Sequence, residues 1–180
     1  MNWRNFVLSV GVLVACTKQV EAQVNTPIIH HEITKEYTEP MLLGHISVSA
    51  IQENSYANWF KPNWDIYTVD SGTVALLKPL LKRKKIDVFM GTWCDDSRMY
   101  VPRLIKILMT AGYDIQHLSL VAVGHNDELH KKSPEGEEIG KNIVSVPTII
   151  VYKRHKELGR IVESPVESIE KDLLSILQKK

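Results

Sequence analysis

The chain is poor in cysteine. Its 180 residues hold two, Cys16 and Cys94, and no C-x-x-C pair. Where a second thiol would complete such a pair with Cys94, the sequence has Ser97, which excludes an internal disulfide at that place. The chain also lacks a membrane-spanning run. Its apolar N-terminal stretch, residues 6–15, is half of the roughly twenty residues a bilayer needs. It lacks a charge imbalance: 22 Lys and Arg face 21 Asp and Glu, a formal net charge of +1. That gives no electrostatic case for nucleic acid or an anionic surface. The dense basic run Lys82-Arg83-Lys84-Lys85 ends a helical pattern, where cations complement the dipole and stay solvated. The seven histidines lack a recurrent metal spacing such as H-E-x-x-H. His30, His31, His125 and His130 read as solvated loop residues, and no metal is expected. There are no internal repeats and no low-complexity tracts.

What is present fits an exported α/β protein. Hydrophobic residues at 44% and charged residues at 24% are ordinary for one globular domain. Residues 1–22 read as a targeting segment, with Arg4 before the apolar stretch. Two processing sites compete. Leu13-Val14-Ala15-Cys16 resembles a lipobox, which would leave a lipid-modified Cys16 at the mature N-terminus. Val20-Glu21-Ala22 before Gln23 suits ordinary secretory cleavage. Either route predicts export to the periplasm or cell envelope, with a lipid anchor in the first case. Either leaves Cys94 as a single free thiol in a compartment where thiols oxidise.

The pattern predicts an N-terminal extension over residues 23–70 and a domain over 71–180. Residues 46–50 alternate and read as a strand. Residues 54–70 carry Tyr56, Trp59, Phe60, Trp64 and Tyr67, which suggests a segment packed on the domain surface. A helix over 72–81 contains Pro79. A strand follows at 86–90, a helix at 95–111 closed by Gly112, and a strand at 116–123. Residues 127–141 are polar and broken by Pro134 and Gly136, and read as a loop with one or two helical turns. Strands at 148–152 and 158–162 form a hairpin, and a helix over 166–178 begins after Pro165. This order implies a central mixed sheet flanked by helices.

The chemistry centres on Trp93-Cys94-Asp95-Asp96-Ser97. A cysteine at a strand-to-helix junction lies near unpaired N–H groups and the positive end of the helix dipole, and both favour thiolate, the reactive form. Trp93-Cys94-x-x-Ser97, Pro102 eight residues on, and Val146-Pro147-Thr148 before an apolar strand together resemble the thioredoxin superfamily over residues 72–180. The resemblance implies a thioredoxin-like fold, a helix bent at Pro102 and a cis-proline loop. That loop would bring the Val146 backbone beside the sulfur to pair with an extended substrate. Trp93 would cover one side of the thiol.

Ser97 departs from the family's two-cysteine pattern. It cannot resolve a mixed disulfide; its hydroxyl can instead donate to the Cys94 thiolate or satisfy a backbone N–H. The family's two-cysteine reductases carry a buried carboxylate six residues before the nucleophile, and here that position is Val88. Alternation turns the adjacent Asp87 to the opposite face. Asp95 and Asp96 suit a helix N-terminus, yet repel a thiolate, with Arg98 as a counter-charge. The expected activity is therefore monothiol disulfide exchange, with Cys94 as nucleophile and Ser97 beside it. Trp93, Val146 and Pro147 would hold the substrate. The substrate would be an exported protein or a small thiol or disulfide, released by an external thiol, with no cofactor. The alternative is a non-catalytic module that binds a peptide or protein on the same scaffold.

Overall fold

The computed structural model describes residues 31–33, 40–125 and 129–179. The leader, Cys16, His30 and the processing sites lie outside the described residues.

The strand β3, Lys84–Met90, is the centre of the sheet. It alternates between two apolar layers, which is why its sequence reads as a nearly continuous hydrophobic run. Ile86, Val88 and Met90 join the main core, and Phe89 joins a second, smaller cluster. The other strands are β1 (His31–Ile33), β2 (Met41–Ile46), β4 (Leu118–Ala122), β5 (Thr148–Lys153) and β6 (Lys156–Val162). Their order is β1-β2-β4-β3-β5-β6. Among the described strands only the β3–β4 pair is parallel; β5 runs antiparallel to both β3 and β6. The result is a mixed sheet with helices packed on it.

The helices are α1 (Ala57–Ile66), α2 (Ser71–Leu80), α3 (Asp95–Thr110) and α4 (Ile169–Gln178). Buried residues of all four join one cluster with Val88, Leu120, Ile149 and Ile161. The opposite sheet face carries Phe89, Val121, Ile150 and Tyr152, and packs against Ile143 and Val146 of the β4–β5 connection. Local signals set the helix ends. Asp70 caps α2 by accepting from the Gly72 and Thr73 N–H groups. The α3 helix closes with Gly112 at φ +70, its N–H on Met109 O and that of Tyr113 on Leu108 O. This paired arrangement needs a left-handed residue, which glycine adopts without strain.

Several boundaries differ from the sequence reading. The strand expected at 46–50 is instead β2, Met41–Ile46; residues 49–51 form a 3-10 turn. Met41, Leu42, Leu43 and Ile46 are all buried, so the true strand lacks the alternation that suggested the false one. The last helix starts at Ile169 rather than 166. Ser168 caps it, and the Asp172 carboxylate accepts from the Val166 and Glu167 N–H groups, holding those residues outside the helix. The β5–β6 turn is tighter than expected, with Arg154 at φ 59. The described part of 127–141 contains turns but no helix.

The expected boundary at residue 70 does not coincide with a break in the core. Leu42, Ile46, Ile51, Tyr56 and Phe60 pack in the same cluster as α3 and α4. The aromatic segment lies as expected, against the body of the domain. Phe60 stacks on Trp64 at 5.7 Å, and Arg103 of α3 lies over Tyr67. Tyr67 donates at 2.7 Å to the Glu170 carboxylate, which is fully buried and also accepts from the Asp70 N–H. Burial, and then this hydrogen bond, push the Tyr67 phenol far above its ordinary value.

Candidate active site

The site forms where β3 ends and α3 begins. Gly91 follows Met90 with no room for a side chain. A Cβ there would meet the Trp93 ring at 2.5–2.9 Å. The indole lies over this glycine because its Nε1–H donates to Val123 O at 2.8 Å, across the β3–β4 pair. Its other contact is His125, stacked at 4.3 Å between ring centres. Thr92 is buried, and its hydroxyl accepts from the Leu42 N–H at 3.1 Å. The site loop is thus tied to β2 on one side and to β4 on the other.

Cys94 is the N-cap of α3, with extended backbone (φ −92, ψ 124). Its N–H closes a turn onto Gly91 O at 3.0 Å, and its carbonyl accepts the first helical bond from Arg98. The sulfur does not cap the helix; the thiol donates to Val146 O at 3.3 Å. Cys94 is half-buried, packed against the Phe89 and Val146 cluster with an open side. The Val146–Pro147 peptide is cis, as the resemblance implied. Pro147 O accepts from the Glu163 N–H at 2.7 Å, which fastens this loop to the end of β6. The Val146 N–H has no hydrogen-bond partner among the described residues.

Ser97 sits elsewhere than a thiolate donor would. It is fully buried, and its hydroxyl accepts from the Gly91 N–H at 3.2 Å. No hydrogen bond joins it to Cys94 among the described residues. Of the two roles open to it, satisfying a backbone N–H is the one observed. Asp95 is fully exposed, with the Arg98 guanidinium 3.9 Å away. Arg98 Nε donates to Thr92 O at 2.6 Å and clasps the loop from the helix side. Pro102 is buried inside α3. Val88 faces the main core.

Asp87 faces the other layer, as alternation requires. It is buried there against Lys85 and Lys141. The Lys85 ammonium lies 3.0 Å from Oδ1, close enough for an ion pair but not aligned as a hydrogen bond. Lys141 also donates to the Tyr152 hydroxyl at 3.1 Å, and Arg160 donates to the carbonyls of Lys141 and Asn142. This network fixes the connection that carries Val146 onto the sheet. Burial pulls the Lys141 ammonium down, but Tyr152 and Asp87 outweigh it and hold its pKa above the ordinary value.

Sequence reasoning missed Gly91, Thr92 and Val123 as site-shaping residues. The close spacing of Gly91 and Trp93 was the available signal, since a glycine leaves room for a close approach that a side chain would block. No group of three or more metal-ligating side chains occurs among the described residues.

No protein-family model matches the chain. A crystal structure of a protein of unknown function from Pseudomonas aeruginosa is similar, with a TM-score of 0.53 at 14% identity. The match covers 75% of this chain and 92% of that one. At that identity the likeness shows the fold alone, an α/β domain. A crystal structure of an HIV epitope-scaffold matches at a TM-score of 0.33 and 18% identity, over 69% of this chain and 88% of that one. That score carries no argument.

Proposed function

We propose that this chain is an exported thioredoxin-like thiol–disulfide oxidoreductase or isomerase that works with one cysteine. The observation that carries the reading is the half-buried Cys94 sulfur, at a helix N-terminus and 3.3 Å from Val146 O. The Val146 N–H, which has no hydrogen-bond partner among the described residues, supports a groove for an extended segment. Hydrogen bonds from such a segment to the Val146 backbone would set a substrate sulfur beside Cys94.

The cycle needs two exchanges. The Cys94 thiolate attacks one sulfur of a substrate disulfide; a Cys94–substrate disulfide forms and the other substrate thiolate leaves. An external thiol, as thiolate, then attacks that mixed disulfide. It takes the substrate sulfur into a new disulfide and returns Cys94 as thiolate. Attack by a second thiol of the substrate itself would give isomerisation with no net oxidation. Ser97 takes no covalent part and holds the Gly91 turn. Export, and attachment through a lipidated Cys16, belong to the same reading.

The test is turnover of a disulfide-scrambled protein with glutathione as the external thiol. Turnover above the glutathione background is expected from the wild type and not from Cys94→Ala. Full activity in Cys94→Ala overturns the reading. Client binding without turnover in either protein would favour the non-catalytic module.

A further inference from the structure

The sequence shows one dense basic run, but the fold places a second beside it. Lys84 pairs with Lys153 across the β3–β5 ladder, so Lys82-Arg83-Lys84-Lys85 and Lys153-Arg154-His155-Lys156 meet at one pole. A cavity of about 370 Å³ opens there, its charged and polar border formed by Lys78, Lys82, Arg83, Lys84, Asp114 and His117. Lys78, Lys82, Arg83, Lys153, Arg154 and Lys156 are exposed. None of these six has a carboxylate within ion-pair distance among the described residues. Of the nearby acids, Glu157 pairs with Arg160 and Asp87 with Lys85 and Lys141, while Asp114 lies 3.3 Å from the His117 ring. A chain of net charge +1 thus concentrates unbalanced cations at one end.

We propose that this pole is a docking surface for an anionic phospholipid bilayer. Clusters of four to eight Lys and Arg bind anionic headgroups through additive, salt-screened attraction. Among the described residues the pole carries no exposed Phe, Tyr or Trp ring; Tyr113 is buried, its hydroxyl shared between Lys84 O and His117 O. Single-stranded nucleic acid would call for exposed stacking rings. Cys94 lies past the other end of β3, about 20 Å away by strand rise, and would face the aqueous phase. The surface itself depends neither on the thiol chemistry nor on lipidation.

The test is vesicle sedimentation of the full chain carrying Cys16→Ser, which removes acylation. Vesicles of phosphatidylcholine alone are compared with vesicles containing about one-third phosphatidylglycerol. The wild-type surface should prefer the anionic vesicles and lose that preference as salt rises. The variant Lys78→Glu, Lys82→Glu, Lys153→Glu, Lys156→Glu should bind them at least about 100-fold more weakly, given roughly fivefold per cation. All four positions are exposed, and an unchanged circular dichroism spectrum checks the fold. The neutral set with Gln at the same positions should fall in between. Equal binding of wild type and charge-reversed variant, no preference for anionic vesicles, or binding to DNA without binding to vesicles would each overturn the proposal. Adding Cys94→Ser should change nothing, which separates this result from the fate of the enzymatic reading.

Discussion

Replacing Gly91 by alanine tests the packing that builds the site. The new Cβ would lie 2.5 Å from Trp93 Cε2, where carbon atoms settle at about 3.5–4.0 Å. The indole must move by roughly 1 Å to relieve this contact. Movement strains the 2.8 Å hydrogen bond from Nε1 to Val123 O and the stack on His125. Overpacking of this kind costs about 1–3 kcal/mol, and the lost hydrogen bond adds about 1 kcal/mol. The sum, about 2–4 kcal/mol, is a large part of a typical domain stability of roughly 5–15 kcal/mol. Urea unfolding should show it as a midpoint lowered by 1 M or more, at a slope of about 2 kcal/mol per molar. Gly91 does not have a positive φ, so the effect is steric rather than conformational. The control is a double-mutant cycle. In a Trp93→Leu background the ring is gone, and Gly91→Ala should be neutral or stabilise by about 0.5 kcal/mol through the unfolded chain. A Gly91→Ala protein within about 0.5 kcal/mol of wild type, or an unchanged penalty without the indole, would refute the reasoning.

Three further outcomes follow from the network and the caps. Lys141→Met should destabilise the fold, and the difference should depend on pH. The folded state holds the Lys141 proton more tightly than the unfolded chain does, so the contribution is complete below about 10.4. It should fade as pH rises through the higher folded value; a difference that grows with alkali contradicts the assignment. Glu170→Ala leaves the Tyr67 hydroxyl and the Asp70 N–H without their buried acceptor, and thermal unfolding should register a loss of about 3 kcal/mol. Ser168→Ala removes the α4 N-cap and should cost about 1 kcal/mol in the same assay.

The site was legible where its signals are local. A cysteine after an apolar run and before a helical pattern, a glycine at a helix end, and a proline before a strand each act on their immediate neighbours. The strand β2 was not legible. Its partner β4 lies more than seventy residues away, and burial on both faces removed the period-two pattern. The role of Ser97 was visible only as one of two options, because the choice depends on where the Gly91 N–H points. The basic pole escaped notice for a similar reason. Each run alone reads as a solvated turn or helix end, and only the pairing of Lys84 with Lys153 brings them together. The core contribution of residues 41–70 is likewise a tertiary fact, set by how Tyr56 and Phe60 pack under α3.

The most direct measurement of the central claim is the intact mass of the folded protein after exposure to oxidised glutathione. One glutathione adduct is expected, mapped to Cys94, that persists because no second thiol in the described domain can displace it and that added reduced glutathione removes. An unmodified native protein that forms the adduct only after denaturation would contradict it.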